Sequence, residues 1–344
     1  MACGKMTAGT ARTNTEPAAA QEVIHFVGRV QGGPAFPARY AWSGSGFVAE
    51  FSGKGIVVRL RDDKNEHQVV LDGVATKKLV TTRDQERYVL AENLPAGKHH
   101  IGLFRRTEAM FGVTELLGVE VTDGQLMPQA VAKVRRIEVV GDSISCGYGN
   151  EGTTPDCPFS PETENHFESY GAIIARQFGA ELSTVAWSGR GIVKNYAGGA
   201  GDYLGLLYDR ILPEDPTSLV VAGPSADVVI VNVGTNDFST DPDPEESHFV
   251  AEYAALLQKI RRNNPGALIL CTVGPMLAGE DLDKAQGAIA KAVQLRNAAG
   301  DARVVAHAMK TANHNPGCDW HPSVGTHEAM ASELSAALRA NRVW

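Results

Sequence analysis

The sequence has no surplus of positive charge: 32 Lys and Arg stand against 40 Asp and Glu, a net charge of −8. A basic face for nucleic acid or for an anionic membrane surface is therefore not expected. No apolar run approaches the ~18 residues of a membrane-spanning helix. The five cysteines (Cys3, Cys146, Cys157, Cys271 and Cys318) include no CxxC pair, which leaves a zinc-finger or thioredoxin-type site little support. There is no internal repeat. There is also no Gly-x-Ser-x-Gly elbow, which disfavours an ordinary α/β-hydrolase. The first 21 residues are small and polar and lack the charged-then-apolar profile of a signal peptide. They are expected to be a disordered leader. The alternative is that Met1-Ala2-Cys3-Gly4 represents a lipoprotein cleavage site behind an added start Met, with Cys3 lipidated in the native protein.

The chain does have the balance of a globular protein, with 43% hydrophobic and 21% charged residues over 344 positions, enough for about two domains. Its 36 Gly and 17 Pro point to many tight turns. Cys271 lies within the apolar run Leu268–Val273 and reads as core. Cys146 and Cys157 flank a Gly/Pro-rich loop and are candidates for a disulfide in an exported protein, though spacing alone does not establish the pairing.

Over residues 22–130 short runs rich in Val, Ile, Leu or Thr alternate with breakers. The expected strands are Val23–Val30, Gly46–Phe51, Ile56–Leu60, Gln68–Leu71, Lys78–Thr82, Arg87–Glu92, His99–Arg105 and Leu117–Val121. Their number and spacing predict a β-sandwich or jelly roll. Beyond a boundary near residues 128–134, beside Pro128, the texture changes. Strands at Arg136–Val140, Glu181–Ala186, Asp227–Val233, Ala267–Val273 and Arg303–Ala306 alternate with helices at Ser169–Phe178, Tyr203–Leu212, His248–Asn263, Asp281–Asn297 and Gly325–Asn341. This alternation predicts a second domain over 133–344, an α/β unit with a parallel sheet flanked by helices.

In such a sheet, function sits in the loops at the carboxyl ends of the strands. Four of these loops carry chemistry. Gly141-Asp142-Ser143-Ile144-Ser145 offers Ser143 as a nucleophile or as a helix cap. Trp187-Ser188-Gly189-Arg190-Gly191 is either a bare-backbone contact for a ligand at Gly189 or a plain glycine turn. Gly234-Thr235-Asn236-Asp237 offers the Asn236 amide to an anionic oxygen, or forms an Asn-Asp turn. Gly317-Cys318-Asp319-Trp320-His321-Pro322 places His321, beside an acid, just before the last helix, a fitting position for a base.

Taken in order, these four loops resemble the four blocks of the SGNH (GDSL-like) hydrolases over residues 134–344. A narrower resemblance is to family two of the carbohydrate esterases. It rests on Gly141 to Gly149, on Pro161-Glu162-Thr163-Glu164-Asn165-His166 and on Cys318-Asp319-Trp320-His321-Pro322. Members of that family place a jelly-roll domain before the SGNH domain, in keeping with the strand-rich front half. They remove O-acetyl groups from plant polysaccharides such as xylan and glucomannan, some preferring the 6-position of a hexose.

The resemblance implies that Ser143 attacks the ester carbonyl, that His321 relays the proton, and that an acetyl-enzyme forms and is hydrolysed. It also implies an oxyanion site of the Ser143 N–H, the Gly189 N–H and the Asn236 amide. No metal or other cofactor is expected. In most SGNH enzymes the acid lies three residues before the histidine; here that position is Cys318, and Asp319 is two before. Asp319 is therefore expected to complete a triad. Some family members instead use a Ser–His dyad in which a backbone carbonyl orients the imidazole. Trp320 is expected to be a platform for a sugar ring, with Arg190, Tyr148 and Trp187 as weaker rim candidates. Trp42 and Tyr40 serve equally as exposed sugar-binding aromatics of the front domain or as its core. A polymer-degrading esterase is expected to be secreted, periplasmic or lipid-anchored, rather than cytoplasmic.

Overall fold

The computed structural model describes Met1 and residues 21–33, 36–130, 134–220 and 223–344. Residues 2–20 of the expected leader, Cys3 and its lipidation included, lie outside the described residues, while Gln21 at its end belongs to a strand.

The front half is built from short strands: β1 (Gln21–Glu22), β2 (His25–Val27), β3 (Ala38–Tyr40), β4 (Gly46–Ser52), β5 (Gly55–Arg61) and β6 (Glu66–Leu71). They continue as β7 (Val74–Val80), β8 (Arg87–Ala91), β9 (Lys98–Arg105), β10 (Thr114–Thr122), β11 (Gln125–Met127) and β12 (Gln129–Ala130). One antiparallel sheet has the order β3-β10-β5-β8. The other has the order β11-β4-β9-β6-β7, with β2 also paired to β4. Alternate residues of each strand point inward, as a two-residue period requires. Phe47, Ala49 and Phe51 of β4 thus meet Ile56, Val58 and Leu60 of β5 in one buried core with Tyr88, Leu90, Ile101, Leu103 and Leu116. The expected strand Val23–Val30 shrinks to His25–Val27, because Gly28 turns the chain with φ +79°. The short β3 and β11 carry too little pattern to have been foreseen. Tyr40 and Trp42 are both fully buried, which settles them as core rather than sugar-facing residues.

The rear half holds a five-stranded sheet of order β14-β13-β15-β16-β17, all parallel. Its strands are β13 (Arg135–Gly141), β14 (Ala180–Ala186), β15 (Val228–Asn232), β16 (Leu268–Thr272) and β17 (Val304–Ala306). The helices are α1 (Ser143–Cys146), α2 (Tyr170–Phe178), α3 (Leu204–Leu207), α4 (Thr235–Phe238), α5 (Glu246–Asn263), α6 (Gly279–Ala298) and α7 (Val324–Ala340). Ile137, Val139, Val228, Ile230, Leu268 and Leu270 face α2 and α7. Val140, Val229, Val231, Ile269 and Cys271 face α5 and α6. The sheet is covered on both sides, so its strands read as continuous apolar runs. The expected helix Tyr203–Leu212 is a single turn: after it the chain bends into the bridge Arg210–Leu219, ahead of Pro213.

The two halves share buried structure. Ala41, Trp42 and Ala109 of the front half belong to the core on the α5 and α6 side. The Trp42 indole N–H donates to the Arg210 carbonyl at 3.3 Å, and Arg29 pairs with the buried Glu138 at 3.0 Å. Among the described residues, no helix is long and apolar enough to cross a membrane.

Candidate active site

The sheet order itself assembles the site. Strand β13 lies between β14 and β15, and in the ladder its last residue, Gly141, stands opposite Ala186 on one side and Asn232 on the other. The loops leaving these three strands carry Ser143, Gly189 and Asn236, so residues far apart in sequence meet at one end of the sheet.

Ser143 opens α1, so its N–H has no acceptor within the helix. Asp142 caps that helix, accepting the Ile144 N–H at 3.1 Å. Full burial pushes the Asp142 carboxyl up to about 7. The turn is tight. A Cβ on Gly141 would come within 1.9 Å of Ser145 Oγ, and Gly147 ends the helix with φ +81° against the Asn165 carbonyl.

Ser143 Oγ lies 2.9 Å from His321 Nε2, and His321 Nδ1 lies 2.8 Å from the main-chain oxygen of Asp319. A carbonyl only accepts, so Nδ1 carries the hydrogen and Nε2 is left to accept the serine hydroxyl. Both side chains are buried, and desolvation holds the imidazole down to about 4, neutral at ordinary pH. The carboxylate of Asp319 does not bond the imidazole. It accepts the Tyr148 hydroxyl at 3.1 Å, while the Tyr148 ring stacks on Phe159 at 3.8 Å and lies 4.1 Å from the His321 ring. The triad expected of the Asp319 carboxylate is thus replaced by the dyad geometry. The reason is local: Asp319 and Trp320 both adopt left-handed backbone, φ +52° and +60°, which turns the carbonyl of residue 319 toward the ring.

The loop that carries the base is tied down by a disulfide between Cys157 and Cys318. This corrects the Cys146–Cys157 pairing: Cys146 is a free, buried thiol in α1, and Cys157 turns away from it to the histidine loop. The Asp319 N–H donates to the Cys157 carbonyl at 3.0 Å and the Cys318 N–H to the Gly149 carbonyl at 2.9 Å.

Gly189 has φ +76°, and a Cβ placed there would find only the Cβ of Tyr196, at 3.9 Å. The Asn236 amide donates one hydrogen to the Arg190 carbonyl at 2.9 Å, which leaves its second available. Asp237 anchors the loop after Gly189: its carboxyl accepts the N–H groups of Ile192, Val193 and Lys194 at 2.9–3.1 Å. Burial raises that carboxyl to about 6. A serine hydroxyl and a neutral imidazole are thus in contact, and the loops of Gly189 and Asn236 leave the two neighbouring strands at the same end of the sheet. A serine paired with a neutral base is the starting point of acyl transfer.

Of the rim candidates, Trp320 is 61% exposed beside the base, and Tyr148 is half-buried against the imidazole. Arg190 is turned back on its own loop, donating to the Ala200 carbonyl at 2.6 Å with its guanidinium 5.2 Å from the Trp187 ring. Trp187 is buried in the core and presents no face to a substrate, a correction to its placement on the rim. The sequence reading missed Tyr196, which is 58% exposed and whose N–H bonds the Gly189 carbonyl at 2.9 Å. Its position seven residues after Gly189 was the available signal. Among the described residues, one trio (Glu108, Cys146 and Glu164) brings potential metal-ligating atoms within 4.8 Å of one another. Both oxygens of Glu108 already accept Ser188 donors, so this trio is built as a hydrogen-bond cluster.

Residues 26–129 match the family described as Carbohydrate esterase 2 N-terminal, and residues 139–329 the GDSL-like Lipase/Acylhydrolase family. The chain is 36% identical over 307 residues to the cellulase/esterase CelE of Acetivibrio thermocellus, a match that covers 88% of this chain and 38% of that longer protein. It is 28% identical to an acetylxylan esterase / glucomannan deacetylase of Cellvibrio japonicus, over 89% of this chain and 86% of that one. A family two carbohydrate esterase from Clostridium thermocellum, solved in complex with cellohexaose, superposes with a TM-score of 0.87 at 35% identity, over 92% of this chain and 98% of that one. With both halves matched in order and the relatives named as esterases, the chain belongs to family two of the carbohydrate esterases.

Proposed function

We propose that the protein removes O-acetyl groups from plant polysaccharides or their oligosaccharides, xylan and glucomannan being the substrate class, with Ser143 and His321 as the working pair. The observation that carries this reading is the Ser143 Oγ–His321 Nε2 contact of 2.9 Å, with Nδ1 held by the Asp319 carbonyl. Ser143 Oγ bonds to the acetyl carbon as its proton passes to Nε2. The resulting oxyanion is met by the N–H groups of Ser143 and Gly189 and the free amide hydrogen of Asn236. Collapse of the tetrahedral species breaks the C–O bond to the sugar, whose oxygen takes the proton from Nε2. Water then attacks the acetyl-enzyme by the same route and releases acetate.

A sugar chain needs an apolar face to lie on, and the exposed Trp320, next to His321 in the chain, and Tyr196, against Gly189, supply two. The Cys157–Cys318 bond supports a location outside the reducing cytosol, where an acetylated polymer is also met.

The test is acetate release from acetylated xylan and acetylated glucomannan, with S143A as the blank. Release by the wild type alone is the expected result, and the faster polymer names the substrate. Cleavage of an aryl acetate without release from either polymer would remove the plant-polysaccharide assignment and redirect the search to envelope glycans or small acyl esters. Binding of the polymers with no hydrolysis of any ester would make the protein a carbohydrate-binding module on an esterase scaffold.

A further inference from the structure

The catalytic half does not build its oxyanion loop unaided. Glu108 lies in the connection that follows β9, in the front half, and is fully buried. Its carboxyl reaches into the loop after β14. Oε2 accepts the Ser188 N–H at 2.8 Å, and Oε1 accepts the Ser188 hydroxyl at 2.5 Å. Ser188 immediately precedes Gly189, whose N–H is the oxyanion donor assigned above. Gly189 cannot hold its own direction. It has no side chain, its φ is +76°, and no atom lies closer than 3.9 Å to where a Cβ would stand. The orientation of its N–H is set by the residues on either side, Tyr196 on the Gly189 carbonyl and Glu108 on Ser188.

Glu108 is itself gripped. Its carbonyl accepts Arg105 Nη2 at 2.8 Å, from a fully buried guanidinium, and its N–H donates to Glu164 Oε2 at 3.2 Å. The thiol of Cys146, the last residue of α1, lies 3.8 Å from Glu108 Oε2. One buried carboxyl therefore touches both the loop of the oxyanion donor and the helix of the nucleophile.

We propose that Glu108 is a positioning residue of the esterase: the β-domain supplies, through this side chain, the anchor that aims the Gly189 N–H at the transition-state oxygen. The front domain is then an integral part of the catalytic apparatus. The inference rests on Gly189 and Asn236 forming the oxyanion site.

The experiment uses the full chain, an aryl acetate as substrate, and methylboronic acid as a tetrahedral adduct of the serine. Removal of an oxyanion donor costs about 10²–10³ in kcat, and a misaimed donor should cost less. E108A is expected to lower kcat about 10- to 100-fold with KM little changed, and to weaken boronate affinity by a similar factor. E108Q, which keeps an acceptor for Ser188, should recover much of the loss. E138Q alters a buried carboxyl in the middle of β13 that also meets the front half, through Arg29, and controls for general loosening between the halves. It should leave kcat near that of the wild type. Wild-type kcat in E108A, a kcat loss without a loss of boronate affinity, or an equal kcat loss in E138Q would each overturn the proposal. If E108A does not fold, S188A removes one of the two bonds from the other side. It should lower kcat and boronate affinity together by several-fold, and wild-type values of both would overturn the idea. N236A separates the premise from the inference. Native kcat in N236A discards the oxyanion assignment itself, whereas loss in N236A with none in E108A discards only the role of Glu108.

Discussion

Asp319→Asn distinguishes a carbonyl-oriented histidine from a carboxylate-oriented one. The His321 ring receives its orientation from the main-chain oxygen of Asp319 at 2.8 Å, and an Asn at 319 keeps that oxygen. Asn is also among the residues that best tolerate left-handed backbone, so the φ of +52° at 319 survives the exchange. The change removes only the negative charge of an exposed carboxylate whose direct partner is the Tyr148 hydroxyl. The attraction between an exposed charge and the imidazolium formed in the transition state is worth about 0.5–1 kcal/mol. That corresponds to a kcat lowered about 2- to 5-fold. Where a carboxylate holds the second ring nitrogen, the same substitution costs about 10⁴-fold. Initial rates on an aryl acetate, measured beside S143A and H321A, resolve the two cases. Those two variants should abolish turnover. A fall of 10³-fold or more in D319N, at the wild-type melting temperature, would refute the carbonyl-dyad reading.

Burial holds His321 at about 4, below the ordinary 6.5, so the imidazole stays neutral down to mildly acid pH. Protonation at Nε2 blocks acceptance of the Ser143 proton. kcat/KM should therefore keep its plateau as pH falls and drop only near pH 4, and an acid limb at pH 6 or above in a pH–rate profile would contradict this. Removing the Cys157–Cys318 bond, by a dithiol or by the C157S/C318S double variant, releases the loop that carries the base. Differential scanning calorimetry should show a loss of about 2–4 kcal/mol of stability. kcat should fall on the order of 10-fold or more, because even 1 Å of misplacement is costly; unchanged kcat would show the loop to be held by its hydrogen bonds alone. Trp320→Ala should raise KM for acetylated polysaccharide while leaving an aryl acetate untouched; equal effects on both substrates would argue for a packing role.

What the sequence made legible is what local chemistry determines. The apolar runs Val228–Val231 and Leu268–Cys271 mark buried parallel strands, and the polar residue types placed at strand ends mark Ser143, Asn236 and His321. The structure sets the loops of Ser143 and Asn236 side by side because β13 pairs with β15, and brings His321 to Ser143 through the loop before α7. What stayed hidden depends on the third dimension. The partner of Cys157 lies 161 residues away, so the nearer Cys146 looked the better candidate. The side of the chain on which Trp187 falls is set by the end of β14, and it falls inward. The choice between the carboxylate and the carbonyl of Asp319 depends on the left-handed backbone of Asp319 and Trp320, which residue type alone does not report. Glu108 was beyond reach altogether: it lies in the other domain, 35 positions before the nucleophile, with no motif around it.

The left-handed pair Asp319–Trp320 unites several of these features. A non-glycine residue in that conformation costs about 1–2 kcal/mol, so two in succession persist only where the surroundings hold them. Here the holding bonds are explicit. The disulfide fixes Cys318, the Cys157 carbonyl takes the Asp319 N–H at 3.0 Å, and the Trp320 carbonyl accepts Asn313 Nδ2 at 2.8 Å. The His321 carbonyl closes the turn on the Gly317 N–H at 2.8 Å. The same twist does two jobs at opposite faces of the loop. Inward, it points the residue 319 carbonyl at Nδ1 and so selects the tautomer that the serine needs. Outward, it leaves the Trp320 indole standing 61% exposed next to the reacting atoms. A regular helical or extended path through these residues would satisfy one requirement at most. This explains why the loop is pinned covalently although its residues are already well hydrogen-bonded.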